Sequence, residues 1–146
     1  MPTAARPPEG HARILIAGQD LPFCRRLRAS VEAHEGLEVV GIAEDGKEAI
    51  HLVETLKPSL VLMDVAMPGV DGIEATRRIR KLPDSPAVVL MTSDDDEIDD
   101  RAVDAGAAAY LRKSSDLIAL LDFVVAFAGA SARSDQGAAQ KSRAAR

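Results

Sequence analysis

A single cysteine, Cys24, occurs in the 146 residues, which excludes an internal disulfide and any disulfide-stapled scaffold. The default setting for such a chain is reducing and cytoplasmic. No apolar run approaches the roughly 20 residues that span a bilayer. The N-terminal stretch MPTAARPPEGHAR carries prolines where a signal peptide would carry its apolar segment, so neither membrane insertion nor export is expected. Positive charge is also short: the formal net charge is −5, and an acidic body offers no surface for nucleic acid. Histidines are few, and His11, His34 and His51 are widely spaced, with no recognisable ligand pair among them. What is present is 47% hydrophobic and 28% charged residues, the composition of one soluble domain long enough to bury its own core.

Residues 1–12, rich in Pro and Ala, and 129–146, with four basic residues against one acidic, lack apolar periodicity and read as flexible ends. The folded body is then 13–128. Within it five short apolar runs alternate with helical patterns: RILIA (13–17), LEVVGIA (37–43), LVLM (60–63), AVVLM (87–91) and AAYL (108–111). Asp20 is placed to cap a helix over 21–34, with Pro22 in its first turn and Phe23, Leu27 and Val31 on one face. Asp45 starts a second helix that ends at Lys57 before Pro58 and turns Ala49, Val53 and Leu56 inward. Asp71-Gly72 opens a third, Asp96 to Ala105 forms a fourth stopped by Gly106, and Asp116 to Ala128 a fifth. Strands joined by helices of about ten residues require right-handed crossovers. The expected class is α/β, a parallel sheet covered on both faces, whose functional crevice lies beyond the carboxyl ends of the strands.

Those ends carry Gly18-Gln19-Asp20, Glu44-Asp45, Asp64, Thr92-Ser93 and Lys113. An Asp, a hydroxyl and a Lys on one edge supply a nucleophile and two groups that neutralise phosphoryl oxygens. In VLMDVAMPGVDGIEATRRIR (61–80), VVLMTSDDDE (88–97) and AGAAAYLRKSS (105–115), and over about 12–128 as a whole, the chain resembles the receiver domain of bacterial two-component response regulators. The resemblance implies a flavodoxin-like three-layer fold, with a five-stranded parallel sheet of order 2-1-3-4-5 and five helices. It also implies that Asp64 is a phosphoacceptor, served by a histidine kinase or phosphotransfer protein, with Thr92 and Lys113 meeting the phosphoryl oxygens. Tyr110 stands where receivers carry an aromatic that switches with Thr92; on chemistry alone it is a sheet-edge Tyr with its hydroxyl in water. The family's ion is Mg2+, held by the acceptor, by acidic residues after the first strand, and by a backbone carbonyl two residues past the acceptor, here that of Ala66.

An ungapped match through RILIA puts Gly18 and Gln19 where receivers present two carboxylates. A hard cation that favours carboxylate oxygen and octahedral geometry is held less well by an amide, and not at all by a missing side chain. Gln19 is thus a weak ligand, and Asp20, one position late, serves better as a helix cap than as a ligand. Two functions fit. In one, the chain takes phosphate on Asp64 with weakened use of Mg2+; in the other it is a pseudo-receiver, a phosphorylation-independent protein-interaction module. A third class is a small hydrolase, but a haloacid-dehalogenase-like phosphatase would want a second Asp where this chain has Ala66. No enzyme activity is expected beyond self-catalysed phosphorylation and dephosphorylation of the acceptor.

The last helix, DLIALLDFVVAFA, has only Asp116 and Asp122 as charges. Leu117, Leu120, Leu121, Val124 and Phe127 form one face and leave Ile118, Phe123 and Val125 on the flanks, more apolar surface than one core contact needs. Ile118, Phe123 and Val125 are therefore the expected interface for a homodimer or a docked downstream protein, and receivers commonly pair through this end of the fold. The acidic run Asp94 to Asp100 and the basic run Arg77 to Lys81 suit helix ends and call for no metal or nucleic acid. Met63, Met67 and Met91 read as core, and Cys24 as an unactivated thiol. VVGIAEDGKEAI and TSDDDE resemble receivers that carry a C-terminal helix-turn-helix, yet only 18 unpatterned residues follow Ala128. The expectation is a stand-alone receiver that signals by protein contact.

Overall fold

Three aspartates set where the first three helices begin. Asp20 Oδ1 accepts from the Phe23 N–H at 3.1 Å, Asp45 Oδ1 from Glu48 at 2.7 Å and Asp71 Oδ1 from Glu74 at 2.8 Å. Each satisfies an amide that the helix leaves without an internal partner. The structure, a computed structural model, describes residues 12–93, 100–113 and 116–129. In chain order it runs β1 (Ala12–Ala17), α1 (Leu21–Glu32), β2 (Leu37–Ala43), α2 (Gly46–Leu56), β3 (Leu60–Asp64), α3 (Gly72–Arg80), β4 (Ala87–Thr92), α4 (Arg101–Ala105) and β5 (Ala109–Arg112). A last helix, α5, covers 117–129.

The strands form one parallel sheet of order β2-β1-β3-β4-β5, as the resemblance implied. Strand side chains alternate between its faces, and both faces are apolar because helices cover both. On one side Ile14, Ile16, Leu60, Leu62, Val89 and Met91 meet Phe23, Leu27 and Val31 of α1 and Leu120 and Val124 of α5. On the other, Leu15, Val61, Met63, Val88 and Leu90 meet Ala49 and Val53 of α2, Ile73 and Ile79 of α3, and Ala102 and Ala105 of α4. Strand order reverses between β1 and β3, which opens a crevice at their carboxyl ends.

Several boundaries differ from expectation. Helix α1 stops at Glu32 rather than 34, because the His34 N–H turns to the Val31 carbonyl at 3.1 Å and tightens the last turn. Strands β3 and β4 each run one residue further and so include Asp64 and Thr92. Strand β5 begins one residue late, where the register Val89 to Ala109 starts. Gly106, with φ +97, ends α4 in the left-handed region that glycine favours. The expected start of that helix at Asp96, the acidic residues 94–99, the N-terminal segment through residue 11 and the basic tail from 130 lie outside the described residues.

Candidate functional site

Strands β3 and β4 and the turn after β5 bring Asp64, Thr92 and Lys113 to one edge of the sheet. Asp64 pairs in register with Met91, and Thr92 with Arg112. Beyond those pairs the Val65 N–H donates to the Met91 carbonyl and the Lys113 N–H to the Thr92 carbonyl, both at 2.9 Å. The ladder therefore fixes all three residues from the backbone. Asp64 and Thr92 are 2% and 4% exposed. Lys113 Nζ lies 2.8 Å from Asp64 Oδ1 and 5.1 Å from the centroid of the Phe23 ring, over its face. The contact is an ion pair, and the buried Oδ1 is otherwise without a hydrogen-bond partner. Burial pushes the Asp64 carboxyl above its usual range, and Lys113 pulls it back only in part. A buried carboxylate with unspent acceptor capacity beside an ammonium is a nucleophile with its charge-neutralising group in place.

Gly18 is buried beside this carboxylate. A Cβ there would stand 2.6 Å from Asp64 Oδ2 and 3.2 Å from Cys24 Sγ, so Asp64 occupies room that a side chain at 18 would need. Gln19 reaches across the crevice, and its Nε2–H donates to the Ala66 carbonyl at 3.4 Å. Asp20 Oδ1 caps α1, the role that the sequence favoured for it over that of a ligand. Cys24 Sγ contacts the Gly18 carbonyl at 3.9 Å, and burial, followed by the charge of Asp64, pushes its thiol up to about 11. It is unactivated, as expected. Two neighbours of Asp64 escaped the reading of strand ends. Cys24 sits four residues past Asp20, a helix position that turns it back over the β1 loop. At Gly72 a Cβ would run into the Asp64 carbonyl; the Asp71-Gly72 pair signalled only a helix start.

Tyr110 is half-buried against the second core, and alternation along β4 puts Thr92 on the same face as Leu90, its register partner. The three apolar residues expected to share an interface separate. Ile118 and Val125 are 78% and 42% exposed, whereas Phe123 is half-buried on the first core and stacks on Phe127 with centroids 6.5 Å apart. Helix geometry puts Ile118 and Val125 about 20° apart and Phe123 about 140° from Ile118. Val103 of α4, which the sequence did not single out, is 74% exposed.

The family model for the response regulator receiver domain matches residues 14–125. This chain belongs to the response regulator receiver family. The receiver is 45% identical over 116 residues to the transcriptional regulatory protein PdtaR of Mycobacterium tuberculosis (strain ATCC 25618 / H37Rv), an alignment covering 77% of this chain and 56% of PdtaR. It is 48% identical over 104 residues to protein-glutamate methylesterase/protein-glutamine glutaminase 4 of Myxococcus xanthus (strain DK1622), covering 69% of this chain but 29% of that protein. The receiver thus spans about half the length, or less, of these two relatives. Among solved structures it is similar to a LuxR-family two-component response regulator from Aurantimonas sp. SI85-9A1, with TM-score 0.73 and 31% identity, covering 82% of this chain and 86% of that one.

Receivers work in two-component signalling, are in general not enzymes in themselves, and typically bind Mg2+ at an acidic pocket. The side chains here do not fit that ion. Gly18 has no donor, Gln19 turns an N–H toward the carbonyl that would ligate, and Asp64 is paired with Lys113. Among the described residues no three His, Cys, Asp or Glu side chains gather as ligands, and a hard cation needs several anionic or carbonyl oxygens. Among the described residues, too, no helix is long and apolar enough to cross a membrane.

Proposed function

We propose that this receiver accepts a phosphoryl group on Asp64 from a histidine kinase or phosphotransfer protein and passes the signal on by protein contact. One observation carries this reading: Asp64 and Thr92 end β3 and β4 and Lys113 follows the adjacent β5, with the ammonium 2.8 Å from the buried carboxylate. In the transfer an Asp64 oxygen attacks phosphorus in line, the P–O bond forms as the P–N bond of the phosphohistidine breaks, and the imidazole keeps the electron pair and takes up a proton. Lys113 and Thr92 neutralise the phosphoryl oxygens, so the work is positioning and charge. Tyr110 follows Thr92 as the switch residue, and the exposed Ile118 and Val125 meet a second copy or a downstream protein. The acceptor and its kinase act in the cytoplasm, with no direct role for nucleic acid or membrane.

The second function, a phosphorylation-independent interaction module, is favoured by a different observation: Gln19 and Gly18 leave the acidic pair unbuilt. Incubation with a small phosphodonor, followed by intact-mass measurement, separates the two. The expected product is one acid-stable, base-labile phosphoryl group, absent in Asp64→Asn. No modification from the donor or from a cognate kinase would sink the phosphoacceptor and leave the interaction module.

A further inference from the structure

We infer that Gln19 takes the place of the divalent cation in this receiver: its side-chain amide ties the β1–α1 loop to the β3–α3 loop and sets the crevice without metal. The inference does not depend on whether Asp64 takes phosphate. It rests on the Gln19 Nε2 to Ala66 O contact of 3.4 Å, which spans the two loops a bridging ion would join. A carbonyl oxygen only accepts, so the NH2 end of the amide must face Ala66. For Gln19 to ligate instead, its Oε1 would have to turn toward the same point, and two oxygens face each other only with a cation between them. Amide and ion are therefore alternative bridges at one place.

The surroundings favour the amide. Lys113 already supplies the positive partner of Asp64 at 2.8 Å, so an added dication would meet an ammonium beside the acceptor carboxylate. Gly18 adds no charge, and its missing Cβ is the space into which Asp64 Oδ2 leans. Asp20 is held at the α1 cap. Asp64 is paired with Lys113, the charge of Asp20 reaches it from the α1 cap, and a neutral amide closes the loops.

The test combines calorimetric Mg2+ titration with hydrogen exchange of the backbone amides of Ala66, Met67, Gly69 and Val70. In the wild type, Mg2+ up to about 10 mM is expected to give no saturable binding and no change in exchange. Gln19→Ala removes the bridge, so exchange should rise by about threefold, as for one modest hydrogen bond, with no rescue by Mg2+. Gln19→Glu has the same shape but sets an oxygen against the Ala66 carbonyl. Exchange should rise without metal, fall again with Mg2+, and the ion should bind at least about tenfold more tightly than to the wild type. Gln19 is exposed, so each variant folds. Submillimolar Mg2+ binding by the wild type, unchanged exchange in Gln19→Ala, or no gain of Mg2+ affinity in Gln19→Glu would each overturn the inference.

Discussion

Burial outweighs the ion pair at Asp64, so its ionised carboxylate costs the fold stability that the site spends on reactivity. Asp64→Asn keeps the shape and removes the charge, while Lys113, with 22% of its side chain exposed, remains hydrated. The variant is expected to be more stable by about 1 kcal/mol at neutral pH, read from denaturant midpoints. The pH dependence follows from the raised carboxyl: the folded state holds the proton more tightly than the unfolded. Stability from that proton is fully present below the ordinary value of 3.8 and is lost as pH rises through the folded value. The gap between Asp64→Asn and wild type should be full at neutral pH and close as the pH falls toward 3.8; an equal gap at both ends would refute the sign. Asp64→Asn should also lower the Cys24 thiol from about 11, because the Asp64 charge is its second cause after burial, and alkylation rates against pH report it. At Gly72 a methyl group would meet the Asp64 carbonyl, so Gly72→Ala should lose about 2–4 kcal/mol by overpacking against backbone. Asp64, Thr92 and Lys113 were legible in the sequence because strand ends are readable positions. The direction of Gln19 and the crowding at Gly18 were not, since the first depends on Ala66, 47 residues away in the chain, and the second on the side chains of Asp64 and Cys24.

Helix starts were the most legible elements, because a cap is a local event. Asp20, Asp45 and Asp71 each accept from the amide three residues on. The second cap is doubled, since Glu48 also accepts from the Glu44 N–H at 2.8 Å, which ties the residue before the cap to the first turn. Asp45→Ala should cost about 1 kcal/mol by thermal unfolding without changing the fold. Helix and strand ends were less legible, as α1 and β5 show, because they depend on where a turn or a neighbouring strand takes over. The flank of α5 shows the same limit. Periodicity placed Leu120 and Val124 in the core correctly, but it could not say that Phe123 would pack on the first core while Ile118 and Val125 stay bare. What a flank meets is set by the neighbouring helix, and no count along one helix contains it.

Across the whole molecule, alternation of apolar runs with helices gave the class, while the order 2-1-3-4-5 came through resemblance. The buried strands are nearly all apolar, and nothing in their pattern says which neighbour each will choose. The same burial leaves few large apolar side chains outside: Val103, Ile118 and Val125 are the large hydrophobics exposed among the described residues. Two of them lie about 20° apart on α5, with a helix elsewhere turned into the core. A homodimer through this face has a size requirement, since a stable interface removes about 800 Å² per partner. Two side chains do not supply that area, so the contact must also draw on α4, where Val103 is exposed, or on β5. Ile118→Glu with Val125→Glu is expected to leave the fold within about 0.5 kcal/mol, because both sites are solvent-facing, and to shift the receiver to monomer in sedimentation or sizing. Val103→Glu should weaken the same assembly if α4 takes part. Phe123→Glu should instead lower the unfolding temperature, since it breaks a half-buried contact with the first core and the stack on Phe127. A dimer untouched by the α5 pair would place self-association on another face and leave Ile118 and Val125 to a different protein.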